Sequence, residues 1–277
     1  DLGKEHDWFH SSMVVTLAVV AVVGFIAFLI WELTETHPVV DLTLYQRRNF
    51  WAGSLALSIA YGVFFGNVVL LPLWLQQYMG YTATQAGMVL APVGLMALVL
   101  SPVVGKSIGK VDPRYFATFA FLVFALVLWM RSHFNTQADI ATIMVPTIIQ
   151  GVAMAFFFIP LVTITLSGLP PERIPAASGL SNFTRITAGA VGTSVATTLW
   201  ESRAAMHHAH LVESITLGNP IASGALSGLA SSGINAEQAL AQVNRMVDQQ
   251  AFMLAVNDIF YMSAALILPL TPLIWMT

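Results

Sequence analysis

From Asn49 to Gly105 the chain carries no Asp, Glu, Lys or Arg, and that stretch restricts the fold more than any other feature. At roughly 1.5 Å per residue it supplies two helices of about 20 residues with a turn between them, each long enough to cross a bilayer. Charged residues make up only 9% of the chain and hydrophobic ones 57%, whereas an ordinary soluble domain is about a quarter charged. Lipid rather than water is therefore the main solvent. Backbone amides in hydrocarbon must be bonded internally, so only helices or closed barrels span it, and long apolar runs specify helices.

Seven such runs are expected, approximately Met13 to Trp31, Trp51 to Trp74, Gln85 to Gly105, Tyr115 to Met130, Ala141 to Leu166, Ala176 to Trp200 and Ala255 to Trp275. The fold class is all-α, a polytopic membrane protein of about seven transmembrane helices. Lys and Arg are retained on the cytoplasmic side of short loops. The loops after the first, third and fifth spans hold Arg47 and Arg48, then Lys106, Lys110 and Arg114, then Arg173; the other side holds Lys4, Arg131, Arg203 and Arg245. This distribution places residue 1 outside and residue 277 in the cytoplasm. Residues 201–254 form the sizeable external loop. Its start is expected to continue the preceding helix, GNPIASGALSGLASSG to form a turn region, and INAEQALAQVNRMVDQQAFML to form an amphipathic helix leading into the last span. The opening DLGKEHDWFHSS has neither an initiator Met nor the features of a signal peptide, and is read as a start within a polar external loop.

The absence of Cys removes disulfides and thiolate metal sites, and a net charge of -3 argues against a nucleic-acid partner. There is no phosphate-binding Gly loop, nucleophile elbow or HExxH, so the sequence is not read as an enzyme. His207, His208 and His210 lack an accompanying Cys or carboxylate set, and are read as a solvated or partner-contacting face rather than a metal site.

Polar residues inside spans carry the functional reading, because their burial in hydrocarbon is expensive. Arg185 lies too deep in its span for easy snorkelling. It is either a cavity or gate cation for an anionic or polar substrate group, with Asn182 beside it, or half of a structural pair with another helix. Around it Gly179, Ser181, Ala188, Gly189, Gly192, Ser194 and Ala196 give the helix a small-residue surface that permits close approach. The second span places Tyr61, Phe64, Phe65 and Asn67 near mid-depth, with Gly62 and Gly66 among them. The fifth places Gln150 between Pro146 and Pro160, with Met154, Phe157 and Phe158 nearby. Aromatic rings, a repackable Met and isolated amides suit bulky amphiphiles, but the same residues also serve ordinary helix packing. No acid lies near the centre of a span; Glu32, Glu201 and Asp258 sit near span ends, and Asp258 is expected to cap the start of the last helix.

Taken in order, GKEHDWF, PVVDLTLYQRRNF, LLPLWLQQYMGYTATQAG, APVGLMALVLSPVVGKSIGKVDPR, QGVAMAFFFIPLVTITLSGLP and ASGLSNFTRITAGAVGTS resemble the fourteen-helix drug:proton antiporter branch of the major facilitator superfamily, and within it the EmrB-type multidrug exporters. The resemblance covers essentially the whole chain and implies the C-terminal half of such a transporter. Residues 1–12 would be an external loop, 13–33 an extra central helix, 34–50 a cytoplasmic linker and 51–277 the C-terminal six-helix transport bundle. The loop GKSIGKVDPR resembles the family's basic loop at Gly105, Lys106, Lys110 and Arg114, but has Gly109 where the stricter form has an acid. It is read as a positive-inside anchor and hinge rather than a gating salt bridge.

The resemblance further implies export of small hydrophobic or amphiphilic compounds across the inner membrane by alternating access, driven by the proton gradient without a cofactor. Implied partners are an N-terminal half, a periplasmic adaptor and an outer-membrane channel, with 201–254 and Tyr78 to Thr84 as adaptor contacts. Tyr61, Phe65, Asn67, Gln150, Met154, Phe158, Asn182 and Arg185 are the candidate substrate-binding residues. Arg185, Asp258, Lys106, Lys110 and Arg114 are the candidates for coupling or gating, the main coupling acid being expected in the N-terminal half. A seven-helix receptor or scaffold, a channel, and a transporter of another solute are the rival readings.

Overall fold

The computed structural model describes residues 11–35, 40–216, 219–231, 233 and 235–277. Residues 1–10, most of the expected external loop and including the GKEHDWF motif, lie outside the described residues, as do 36–39 of the expected linker. Among the described residues there is no strand.

The helices are α1 Ser12–Thr34, α2 Arg48–Gln77, α3 Ala83–Ser107, α4 Pro113–Arg131, α5 Ile140–Ala155, α6 Phe158–Leu166, α7 Ile174–Glu213, α8 Pro220–Ser231, α9 Ala236–Ile267 and α10 Leu270–Trp275. Their starts are written in the sequence. Thr82 and Gln85 form a reciprocal capping box at α3. Asp112, Asp139 and Asn235 accept from the amides of Arg114, Thr142 and Gln238 at α4, α5 and α9. Past the end of α2, Gly80 takes a φ of 72°, a left-handed turn that favours glycine.

Among the described residues six segments are long and apolar enough to cross a membrane: α1, α2, α3, α4, α5 with α6, and α9 with α10. The chain is a multi-pass membrane protein. The remaining expected span, Ala176 to Trp200, lies in α7, whose apolar content is diluted by Gly, Ser, Thr and Arg185. Two expected spans are not single helices. Pro160 cannot donate to the carbonyl four residues earlier, and the fifth breaks at Phe156 and Phe157. Pro269 likewise separates α9 from α10.

The bundle is held by α2 against α7, α3 against α5, and α9 against α7 and α4. Between helices in lipid, close packing replaces the hydrophobic effect. A Cβ placed on Gly192 of α7 would lie 2.3 Å from the Gly62 carbonyl oxygen of α2, and one on Gly66 would lie 2.9 Å from the Ala196 Cβ. Here the two backbones touch. The α1 helix stands largely apart, its apolar side chains exposed, with buried Glu32 near its end accepting from the Val40 amide at 3.1 Å.

At 40 residues α7 is about 60 Å long, roughly twice the hydrocarbon thickness. A helix of that length exceeds the hydrocarbon core of a bilayer, and α9 packs along it. The expected continuation of the preceding helix and the amphipathic helix are both present. The Gly/Ser/Ala segment differs from expectation, because residues 220–231 form α8. Pro220 at the first helical position and the Ala and Leu content offset its glycines.

Candidate functional site

Arg185 projects from α7 toward α2 and α6. Its Nη2 donates to Asn182 Oδ1 at 2.5 Å, one turn earlier. The guanidinium carbon lies 4.8 Å from the Tyr61 ring centroid and 5.5 Å from that of Phe158. Tyr61 in turn packs on Phe65 at 4.5 Å and on Phe158 at 5.7 Å. Gly189, one turn beyond Arg185, admits the Tyr61 ring, for a Cβ there would sit 3.0 Å from Tyr61 Cδ1. The cation therefore rests on ring faces, an attraction of up to about 2 kcal/mol where water is excluded. Among the described residues no carboxylate pairs with Arg185, and its buried Nε has no hydrogen-bond partner.

Beside this cation lies a cavity of about 340 Å³ with Leu57, Val162 and Leu166 on its apolar side and Ser178, Ser181, Asn182 and Arg185 on its polar side. Such a wall complements a molecule with an apolar body and an anionic or polar head. Tyr61, Phe65, Phe158, Asn182 and Arg185 are thus brought together.

The other candidate lining residues are elsewhere. Asn67 is buried in the bundle, its Nδ2 donating to the Val63 carbonyl at 2.7 Å and to Ser263 Oγ of α9 at 3.1 Å. Gln150 is 4% exposed, and its Oε1 accepts from Arg131 Nη2 at 2.6 Å. Met154, one turn further along α5, is half-buried against the core. The expected common lining is corrected for Gln150: its acceptor is occupied inside the bundle and does not face the Arg185 cavity.

Arg131 is the residue sequence reasoning missed. Counted as a cation of an external loop, it is the last residue of α4 and only 1% exposed. It also donates to Thr147 Oγ1 at 3.2 Å and lies 6.0 Å from the Phe260 ring centroid. No acid compensates it among the described residues. The available signal was Thr147 and Gln150, two span-interior polar side chains at helical spacing that require a donor.

Asp258 does not cap a helix. The last span is the end of a long continuous helix, so residue 258 falls within α9 rather than at its start. Its Oδ2 lies 2.8 Å from His207 Nε2 and 3.6 Å from Arg203 Nη1, both on α7. His208 is 3.3 Å from Asp248, further out on α9. These contacts fasten the C-terminal part of α7 to α9. Tyr78 joins them, stacking on Phe252 with centroids 4.3 Å apart; burial first, and Asp248 second, push its phenol above the ordinary value.

Lys106 lies in the last turn of α3 and Lys110 in the turn that follows the helix, both exposed. Arg114 begins α4 and donates to the Thr277 carbonyl. Among the described residues no ion pair with an acid is formed by any of the three.

The sequence profile described as Major Facilitator Superfamily matches residues 7–193. The chain is 47% identical to the multidrug export protein EmrB of Escherichia coli (strain K12), over 99% of the chain and 54% of that protein. It is 42% identical to the fatty acid resistance protein FarB of Neisseria gonorrhoeae, over 100% of the chain and 54% of that protein. The colistin resistance protein EmrB of Acinetobacter baumannii is 26% identical over 95% of the chain. The chain spans about half the length of these curated relatives. With its all-helical multi-pass bundle and the basic loop between α3 and α4, the chain belongs to the major facilitator superfamily of transporters, alongside the EmrB-type multidrug exporters.

Proposed function

We propose that the chain is the C-terminal half of a proton-coupled exporter of hydrophobic and amphiphilic compounds, forming one wall of a cavity that alternates access by rocking against an N-terminal half. The observation that carries this reading is the Arg185 site: a membrane-depth cation without a carboxylate partner among the described residues, set on aromatic rings beside an apolar cavity. A cation so placed attracts the head group of an anionic amphiphile, and the rings and aliphatic side accept its body. Tyr61, Phe65, Phe158 and Asn182 complete the contact surface.

In this reading 13–33 is the extra central helix, 34–50 a cytoplasmic linker and 51–277 the transport bundle. The protein lies in the inner membrane with residue 1 external and residue 277 cytoplasmic. The projecting region 201–254 faces the periplasm and meets an adaptor that leads to an outer-membrane channel. Asp258, held against His207 and Arg203, is the coupling candidate of the last span. Lys106, Lys110 and Arg114 anchor the cytoplasmic side.

The test is drug accumulation in efflux-deficient cells expressing the full-length transporter or its Arg185→Ala variant, with and without an uncoupler, at matched membrane expression. Lower accumulation that the uncoupler abolishes and Arg185→Ala impairs is the expected result. Equal export by the variant refutes the role of Arg185. No export of any amphiphile by the parent refutes the function.

A further inference from the structure

We propose that the apolar cavity between α1 and α7 takes the tail of the amphiphile whose head group meets Arg185, and that Gly179 is the crossing between the two, so that chain length selects among anionic amphiphiles. The proposal rests on the reading of Arg185 as the head-group cation. The tail cavity has a volume of about 540 Å³ and is walled by Phe25, Phe28 and Leu29 of α1, Tyr45 of the following segment, and Leu180 and Phe183 of α7. That volume lies within the range of ordinary small-molecule sites. It exists because α1 does not pack closely on α7.

The two cavities differ in what they accept. No charged residue lines the α1 cavity, and its hydroxyl groups are those of Tyr45 and Thr184. Thr184 Oγ1 donates to the Leu180 carbonyl at 2.9 Å, so Tyr45, whose oxygen lies 2.7 Å from Oγ1, is the donor of that pair. Both hydroxyl protons are spent, and no side chain there is left to donate to an anion. The Arg185 cavity is the reverse, with a guanidinium, two serines and an amide on its polar side and no partner for Arg185 Nε among the described residues. An ionised head is therefore stabilised in one cavity and only an apolar chain suits the other.

The cavities meet at Gly179, the one lining residue they share. At about 100° per residue, Ser178, Asn182 and Arg185 fall on one side of α7 and Leu180, Phe183 and Thr184 on the other, with Gly179 between them. Gly179 is exposed, and a Cβ placed on it would meet nothing within 4 Å. Packing of the described helices therefore does not require glycine there, and the missing side chain leaves the crossing open. Gly179 precedes Arg185 by about 9 Å along the helix. A short chain anchored at Arg185 ends near Gly179, and only a longer one reaches α1.

The test locates the chain end. Full-length transporter in lipid nanodiscs is photolysed with hexadecanesulfonate or octanesulfonate, each bearing a diazirine at the chain terminus, and the labelled residues are mapped by mass spectrometry. The long chain is expected to label Phe25, Phe28 or Leu29, and the short one to label α7 near Gly179 and spare α1. Val23 and Ile30, exposed on the opposite face of α1, report a chain merely dissolved in lipid. Gly179→Leu is expected to lower long-chain labelling of the cavity face on the order of tenfold, while short-chain labelling of α7 persists. Equal labelling of both faces of α1, no cavity-face label in the parent, a cavity-face label that survives Gly179→Leu, or equal loss of both chains in that variant overturns the proposal. Arg185→Gln is expected to lower labelling by both chains. If it does not, the head-group reading fails while the Gly179 comparison still decides the route of the tail; if it does and Gly179→Leu has no effect, the route fails and the head-group site stands.

Discussion

Gly192→Ala tests the backbone contact on which the whole arrangement of α2 and α7 depends. The new Cβ would lie 2.3 Å from the Gly62 carbonyl oxygen, 2.5 Å from its Cα and 2.6 Å from its carbonyl carbon. Carbon atoms in comfortable contact are about 3.5–4.0 Å apart, so the shortfall is on the order of 1 Å. Every obstructing atom is backbone, and no rotamer change relieves it. The helices must separate, and the neighbouring contacts of Gly62 with Ala188 and of Gly66 with Ala196 loosen with them. Overpacking typically costs about 1–3 kcal/mol, and the upper end applies here. The contrast is Gly94→Ala in α3, where the added Cβ meets nothing within 4 Å and the helix gains about 0.5–1 kcal/mol from the better helix former. Thermal denaturation of the purified full-length transporter, followed by tryptophan fluorescence, should show Gly192→Ala lowered by roughly 5–10 °C and Gly94→Ala unchanged or raised. If Gly192→Ala melts with the parent, the close approach of α2 and α7 is wrong.

Three further outcomes follow from particular contacts. Gln150→Leu strips the buried Arg131 of its nearest acceptor and should cost about 3 kcal/mol, while the double variant Arg131→Met with Gln150→Leu should recover most of it; a double variant as unstable as the single one refutes the pairing. Asp258→Asn leaves His207 and Arg203 without their acid, and because the groups are partly exposed the loss of stability should stay near 1 kcal/mol or below; uncoupler-sensitive export should nevertheless fall, and unchanged export removes Asp258 from coupling. The Asp139 carboxyl is held below its ordinary value of 3.8, first by the Thr142 side chain and then by the Thr142 amide. A lowered folded-state value stabilises above the ordinary pKa and loses that stabilisation as pH falls through the lowered one. The stability gap between the parent and Asp139→Ala should thus be complete at neutral pH and close below pH 3.8; a gap constant to lower pH refutes the charged cap.

The membrane fold was legible in the sequence because charge is excluded over long runs, and lipid enforces that rule more strictly than any propensity. Helix breaks at Pro160 and Pro269 were less legible. Pro72, Pro92, Pro102 and Pro146 remain inside continuous helices, so proline alone does not decide where a helix ends. Part of the candidate site followed the same logic. Arg185 was conspicuous because a cation deep in a span needs an explanation, and Tyr61 and Phe158 supply one. Gln150 and Arg131 were misassigned together. Sequence spacing gives neither the facing of α5 nor the inward turn of a cation at a helix terminus, and a loop-end Arg has the same letters whether it meets water or Gln150. Asp258 was misjudged because hydropathy marks where a span becomes apolar, not where its helix begins. Here α9 begins at Ala236, more than five turns earlier.

The partners of Asp258 lie on α7, the helix that also carries Arg185 and Gly192. One continuous helix carries Arg185 at membrane depth, Gly192 two turns later at the contact with α2, and Arg203 and His207 beyond it against Asp258 of α9. A helix without a break transmits displacement along its axis, and the Gly62 to Gly192 contact leaves α2 no room to slide independently of it. Movement of α7 at the Arg185 cavity must therefore carry α2 with it and load the ion pairs at its far end. In a half built this way, the kinked α5 and α6, rather than α2 or α7, are where internal adjustment costs least. The break at Phe156 and Phe157 frees backbone groups there and places Phe158 next to Arg185. In the proposed reading, an occupant of the Arg185 cavity meets Val162 and Leu166 on the short α6, and displaces the long helices around it only as rigid bodies.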